Sequence, residues 1–166
     1  MNLLKVISKR RSIRKFLAKS LPDRDIKRIL EAARWAPSGL NNQPWRFIII
    51  KDALKKNFLS GFSECGQIIK DASLLVVVCL DVSSSYNRDK DLMAIGACIQ
   101  NMLLESASLK IGSCWLGEII NKKKEIGEYL RIKKNIEIMA VVALGFPGEK
   151  AEGILRKPLE SLIIDS

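Results

Sequence analysis

A chain of 166 residues, 48% of them hydrophobic, is long enough to bury one core and too apolar to remain disordered. A formal net charge of +10 suits an anionic ligand, a nucleic acid or an acidic surface as partner. The absence of histidine excludes nucleophile–histidine pairs and histidine-ligated zinc, so any chemistry rests on carboxylates, lysines or a cofactor.

The longest apolar runs, such as Leu74 to Leu80, are too short to cross a bilayer, and no signal-peptide pattern opens the chain. A cytoplasmic protein with no membrane partner is the expectation. The cysteines, Cys65, Cys79, Cys98 and Cys114, show no metal-ligand spacing. Cys79 and Cys98 read as small buried hydrophobes in a reducing compartment, and Cys65 as the least buried.

In chain order, Leu3, Leu4, Val6 and Ile7 predict a short helix over 2–9. Ser20-Leu21-Pro22-Asp23 is a helix start, with Ser20 or Asp23 as cap, and Ile26, Ile29, Leu30 and Ala33 mark the apolar face. Pro37 and Gly39 end that helix. Arg46 to Lys51 is a strand, 52–60 a short helix and 61–70 a link. Leu74 to Leu80, apolar on both faces, is a buried strand. After the polar loop Ser83–Asn87, a long helix from about Lys90 to Lys110 is apolar on most sides, as expected of a central or interface helix. Residues 111–118 form a glycine-bounded strand or turn, 121–130 a helix, and Ile136 to Leu144 a strong strand. The tail ends in a strand-like Leu162-Ile163-Ile164. The class is α+β: one domain over 1–166, with a small mixed or antiparallel sheet packed with helices. A dimer accounts for the apolar helix and the loose tail.

Two stretches carry chemistry. Arg10-Arg11-Ser12-Ile13-Arg14-Lys15-Phe16 gathers four cations and a hydroxyl, which suits phosphate. Ala36-Pro37-Ser38-Gly39-Leu40-Asn41-Asn42-Gln43-Pro44-Trp45 is amide-rich and ends in an aromatic. Together they suggest a phosphorylated, flat, hydrogen-bonding ligand such as a nucleotide or flavin. Singly, each has a plain reading as a solvated basic loop or a capped turn.

RRSIRKF, APSGLNNQPWRF, DLMAIGACIQNMLLESASLKIGSCWLGE and LGFPGEKAEGILRKPLESL resemble, in order and over almost the whole chain, the nitroreductase-like flavoproteins. The resemblance implies a central, mostly antiparallel sheet flanked by helices, and a homodimer whose C-terminal arms are exchanged and whose two FMN sites lie at the interface. It puts Arg10, Ser12 and Arg156 on the FMN phosphate, with Arg11 joining that segment. Arg14 would lie beside the pyrimidine edge of the flavin, where a fixed cation stabilises negative charge on the ring. Pro37, Ser38, Gly39 and Asn41 would reach the flavin from the other subunit. Trp115, Gly117 and Glu118 would lie along the ring, with backbone groups near N5. Two departures stand out. Cys65 falls near the position of a ring-contacting asparagine in larger members, and their long insertion is shortened here to residues 81–90.

The implied function is an FMN-dependent NAD(P)H oxidoreductase. Ping-pong hydride transfer through flavin N5 would serve a nitroaromatic, a quinone or a similar small-molecule acceptor, and no side chain is expected to act as catalytic acid or base. The alternatives are a specialised relative (a reductive dehalogenase or a flavin-modifying enzyme), a flavoprotein without turnover, and, from another class, a basic nucleic-acid-binding module. The lack of a groove-reading helix or aromatic RNA platform disfavours the last, so no nucleic-acid partner is expected.

Overall fold

Four apolar segments become the strands β1 (Trp45–Ile50), β2 (Leu74–Asp81), β3 (Gly112–Leu116) and β4 (Ile136–Gly145). The computed structural model describes residues 2–153 and 155–164; Ile154, Asp165 and Ser166, part of the tail read above, lie outside the described residues. The strands form a sheet in the order β1-β2-β4-β3, and every pairing is antiparallel. The expected α+β class is therefore observed, and the mixed alternative is removed.

All of β2 is buried because helices cover both faces of the sheet. Alternate residues face opposite ways along a strand, which divides the core into two halves. Val76, Val78, Ala140 and Val142 belong to one half, with α2 (Asp23–Arg34) and α5 (Arg88–Ser108). Leu75, Val77, Val141 and Ala143 belong to the other, with α3 (Ala53–Ser60), α4 (Gly66–Asp71) and α6 (Lys123–Tyr129). The β2–β4 register slips between Val78 and Cys79, whose partners are Ala140 and Ile138; Met139 is the extra residue of a bulge.

Three details differ from the sequence reading. The link over 61–70 contains α4, whose Ile68 and Ile69 are buried. Neither Ser20 nor Asp23 caps α2: Pro22 takes the cap position without a side-chain bond, and Asp23 pairs with Lys51 at 2.6 Å. The tail forms a short 3-10 turn over Leu159–Leu162, so Leu162 is not the start of the strand-like stretch; Ile163 after it is extended.

Helix α1 (Leu3–Lys9) buries none of its residues, and Leu3 and Leu4 are each about two-thirds exposed. From it the chain crosses the ends of β3 and β4. Ser12 forms a parallel bridge with Ser113, and Phe16 an antiparallel one with Pro147. Two glycines permit this crossing: a Cβ at Gly112 would lie 2.9 Å from Ile13 Cγ2, and one at Gly145 would lie 2.8 Å from Phe16 Cδ1. The basic segment is thereby laid across the sheet end instead of floating as a loop.

Candidate functional site

Arg10, Arg11, Ser12 and Arg14 line a cavity of 410 Å³ together with Glu149, Lys150, Ala151, Glu152 and Arg156. Residues nearly 150 positions apart thus meet in one place, as the resemblance implied for Arg10, Ser12 and Arg156. Arg11 turns back on its own backbone, donating from Nη1 to the carbonyls of Ser8 at 2.7 Å and Arg10 at 2.8 Å. Its guanidinium also lies against the tail, since a Cβ at Gly153 would stand 3.1 Å from Arg11 Nη2. Burial pushes the Arg10 pKa down, and the charges of Arg156 and Arg11 push it further. Three guanidiniums therefore repel one another across a partly enclosed space, with two carboxylates in the lining. That donor set fits a phosphate, which accepts paired N–H bonds and offsets the repulsion.

Ser12, in the lining of this cavity, bridges Ser113 of β3. Trp115 is 43% exposed on a strand whose other residues are buried, so it is a surface platform rather than a core residue. A Cβ at Gly117 would meet only Trp115 Nε1 at 3.7 Å, and its φ of −81° is ordinary. The chain's own backbone does not demand glycine there; its absence of a side chain leaves the surface next to Trp115 open. The Glu118 carboxylate accepts a short hydrogen bond from the Ser63 hydroxyl, and Ser63 Oγ in turn accepts from the Cys65 N–H at 3.0 Å. The loop 61–65 is thus tied to the segment expected along the flavin ring.

Cys65 lies at this junction. Burial and then the charge of Glu118 raise its thiol pKa, which Arg14 partly offsets. Cys79 and Cys98 are pushed up to about 12 by burial alone. Cys65 is the only cysteine that is not buried. Iodoacetamide is expected to modify Cys65 first, and slowly, while Cys79, Cys98 and Cys114 react only after denaturation. Peptide mass mapping checks the order, and early labelling of Cys114 would contradict it.

Pro37, Ser38, Gly39 and Asn41 do not line the cationic cavity. They lie in a separate loop with an unusual backbone: Leu40, Asn41 and Gln43 have φ of 53°, 54° and 47°. Three left-handed non-glycine residues in four are costly and persist only where the surroundings hold them. Ser38 Oγ accepts from the Gln43 N–H at 3.0 Å. Tyr86 packs over Gly39, where a Cβ would stand 1.9 Å from its hydroxyl oxygen. Asn42 Nδ2 donates to Asp91 Oδ1 at 2.7 Å and to the Ser84 carbonyl at 3.0 Å, while Ser85 Oγ donates to Asp91 Oδ2 at 2.6 Å. Asp91 is wholly buried.

Sequence reasoning did not identify Ser63, Tyr86, Asp91 or Glu149. Only Asp91 had a local signal, an acid in the first turn of a long helix. The others act across contacts far apart in sequence. Among the described residues, no group of acidic residues and cysteines is arranged to hold a metal ion.

The sequence matches the family model described as the nitroreductase family, over residues 7–79 and 64–146. It is 39% identical over 152 residues to an Archaeoglobus fulgidus protein provisionally named NADH dehydrogenase/NAD(P)H nitroreductase, covering 90% of this chain and 87% of that one. A Vibrio harveyi NADPH-flavin oxidoreductase is 26% identical, with 98% of this chain and 72% of that one covered. Among solved structures, a provisionally named nitroreductase of Desulfovibrio desulfuricans, crystallised with FMN, superposes with a TM-score of 0.96. It is 38% identical, and the match covers 100% of this chain and 97% of that one.

Proposed function

Because this chain belongs to the nitroreductase family, we propose that it is an FMN-dependent NAD(P)H oxidoreductase. The observation that carries the reading is the cavity where Arg10, Arg11, Arg14 and Arg156 converge. Arg10, Ser12 and Arg156 hold the phosphate of FMN, and Arg11 braces the segment from behind. Trp115, Gly117 and Glu118 form the wall along the ring. When bound, FMN supplies the chemistry, taking hydride from NADH or NADPH at N5 and passing electrons to a nitroaromatic, quinone or similar acceptor. The protein contributes position, charge and exclusion of water.

Arg14 adds a fixed positive charge beside the electron-accepting ring, which favours its reduction. Replacing Arg14 by alanine is expected to slow flavin reduction about tenfold while weakening FMN binding less, since a charge at the ring is felt most as electrons arrive. Stopped-flow reduction under anaerobic conditions measures this, and equal rates in mutant and wild type would remove the role.

The working unit is a homodimer of one flavin-binding domain per chain, with the C-terminal arms exchanged. Its support is the exposed apolar surface of Leu3, Leu4, Trp35, Met93, Leu155, Leu159 and Ile164. In that dimer Pro37, Ser38, Gly39 and Asn41 approach the partner's flavin. The four free thiols suit the reducing cytoplasm, and no helix among the described residues is long and apolar enough to cross a membrane. The deciding experiment is the visible spectrum of the purified protein before and after NADH or NADPH without oxygen. A flavin spectrum that bleaches, with FMN released on denaturation, is expected. Colourless protein that takes up no added FMN overturns the reading.

A further inference from the structure

The cationic cavity contains a carboxylate that works against its ligand. Glu149 lines the same space as Arg10, Ser12, Arg14 and Arg156. A negative charge there repels any phosphate that enters. Its contacts explain its presence. Glu149 Oε1 accepts from the backbone N–H of Arg14 at 2.6 Å and from that of Lys15 at 3.2 Å. Neighbouring residues run edge to edge: the Leu17 N–H donates to the Phe146 carbonyl at 2.9 Å, and the Gly148 N–H to the Lys15 carbonyl at 2.8 Å. Gly148 permits the approach, because a Cβ there would stand 3.1 Å from the Phe16 carbonyl carbon. This backbone pairing ends at Lys15. Where it stops, the carboxylate takes over and fixes the Arg14 peptide.

We infer that Glu149 is the positioning residue of Arg14, holding the backbone from which the flavin-facing cation projects. The assignment rests on the flavin reading above. A charge tunes a ring only if its distance is fixed, and an arginine on a loose peptide averages its field over many positions. Glu149 also opens the tail that carries Arg156. One side chain therefore couples the two ends of the chain that build the cavity. A neutral amide accepts the same two N–H bonds, so glutamine separates clamping from charge. Glutamine should keep the clamp and relieve the repulsion of phosphate.

The test has two arms on the full chain. In cofactor-free protein, NMR amide exchange at Arg14 and Lys15 is expected to accelerate about tenfold in Glu149→Ala and to stay near wild type in Glu149→Gln. In FMN-loaded protein, flavin reduction by NADPH is expected to slow about tenfold in Glu149→Ala and to recover to within about threefold in Glu149→Gln. With Arg14 already replaced by alanine, adding Glu149→Ala should change the rate by less than about twofold. Glu149→Gln should bind FMN at least as tightly as wild type. Unchanged exchange in Glu149→Ala overturns the clamp. A slowing of equal size with and without Arg14 overturns the route through Arg14. A wild-type chain that takes up no FMN overturns the flavin reading itself, a result that the exchange arm keeps distinct from failure of the clamp.

Discussion

Replacing Arg10 by alanine is expected to weaken FMN binding about 100-fold, the loss of about 3 kcal/mol of charge-assisted hydrogen bonding to the phosphate it is proposed to hold. The same substitution is expected to leave the cofactor-free fold no less stable. Burial and the neighbouring charges of Arg156 and Arg11 all lower the Arg10 pKa. A guanidinium whose folded pKa lies below its unfolded value opposes folding wherever it stays protonated, which is every working pH. Removing it relieves that cost. Affinity and stability therefore move in opposite directions, the pattern of a site built for a ligand rather than for the fold.

Two measurements check this. Flavin fluorescence titration gives the affinity, and thermal unfolding without FMN gives the stability. An Arg10→Ala protein that binds FMN like wild type would falsify the phosphate assignment. One that unfolds well below wild type would make Arg10 a structural residue. Added FMN should raise the melting temperature of wild type more than that of the mutant, because a ligand stabilises in proportion to its occupancy.

What could be read from the sequence follows from the range of the interactions. The basic segment was legible because its charges lie within seven residues. The buried strand β2 was legible because Leu74 to Leu80 is continuously apolar, and all of it is buried. The class followed from the alternation of such runs with helical patterns. Helix α4 was missed because its six residues are too few to establish a period, and its Ile68-Ile69 pair reads equally well as a link. The cap of α2 was misread because Asp23 finds Lys51, 28 residues away, instead of its own helix. Only the start of the strand-like tail was misread: Leu162 closes a short 3-10 turn, which its apolar type does not signal. At the candidate site, the residues proposed to touch the ligand were recognisable by type. Those that hold them were not: Glu149 reaches Arg14 across 135 positions, and Ser63 reaches Glu118 across 55.

Asp91→Ala is expected to cost about 3 kcal/mol, because it strands the Asn42 amide and the Ser85 hydroxyl, which donate to a wholly buried carboxylate. For a chain of this length that corresponds to a fall of roughly 6–12 °C in Tm. The loss falls on one loop. Leu40, Asn41 and Gln43 hold left-handed backbone, and Leu40 is 85% exposed, so the loop has little packing of its own to oppose the strain. Asn42, at its centre, is its tie to α5. With the tie cut, Ser38, Gly39 and Asn41 relax away from the conformation proposed to meet the partner's flavin, and FMN affinity falls with stability. The pH dependence has a definite sign. Burial opposes ionisation of Asp91, but the hydrogen bonds from Ser85, Asn42 and the backbone outweigh it, leaving the pKa lowered. A lowered carboxylate pKa contributes stability that is present above the unfolded value near 4 and is lost as pH falls through the folded value. Wild type should therefore lose stability on acidification below about pH 4 more steeply than Asp91→Ala, and the two unfolding curves should converge. Parallel curves would show that the Asp91 pKa is the same folded and unfolded, and a wild type that gains stability relative to the mutant on acidification would show that Asp91 is held protonated; either result overturns the ionised tie.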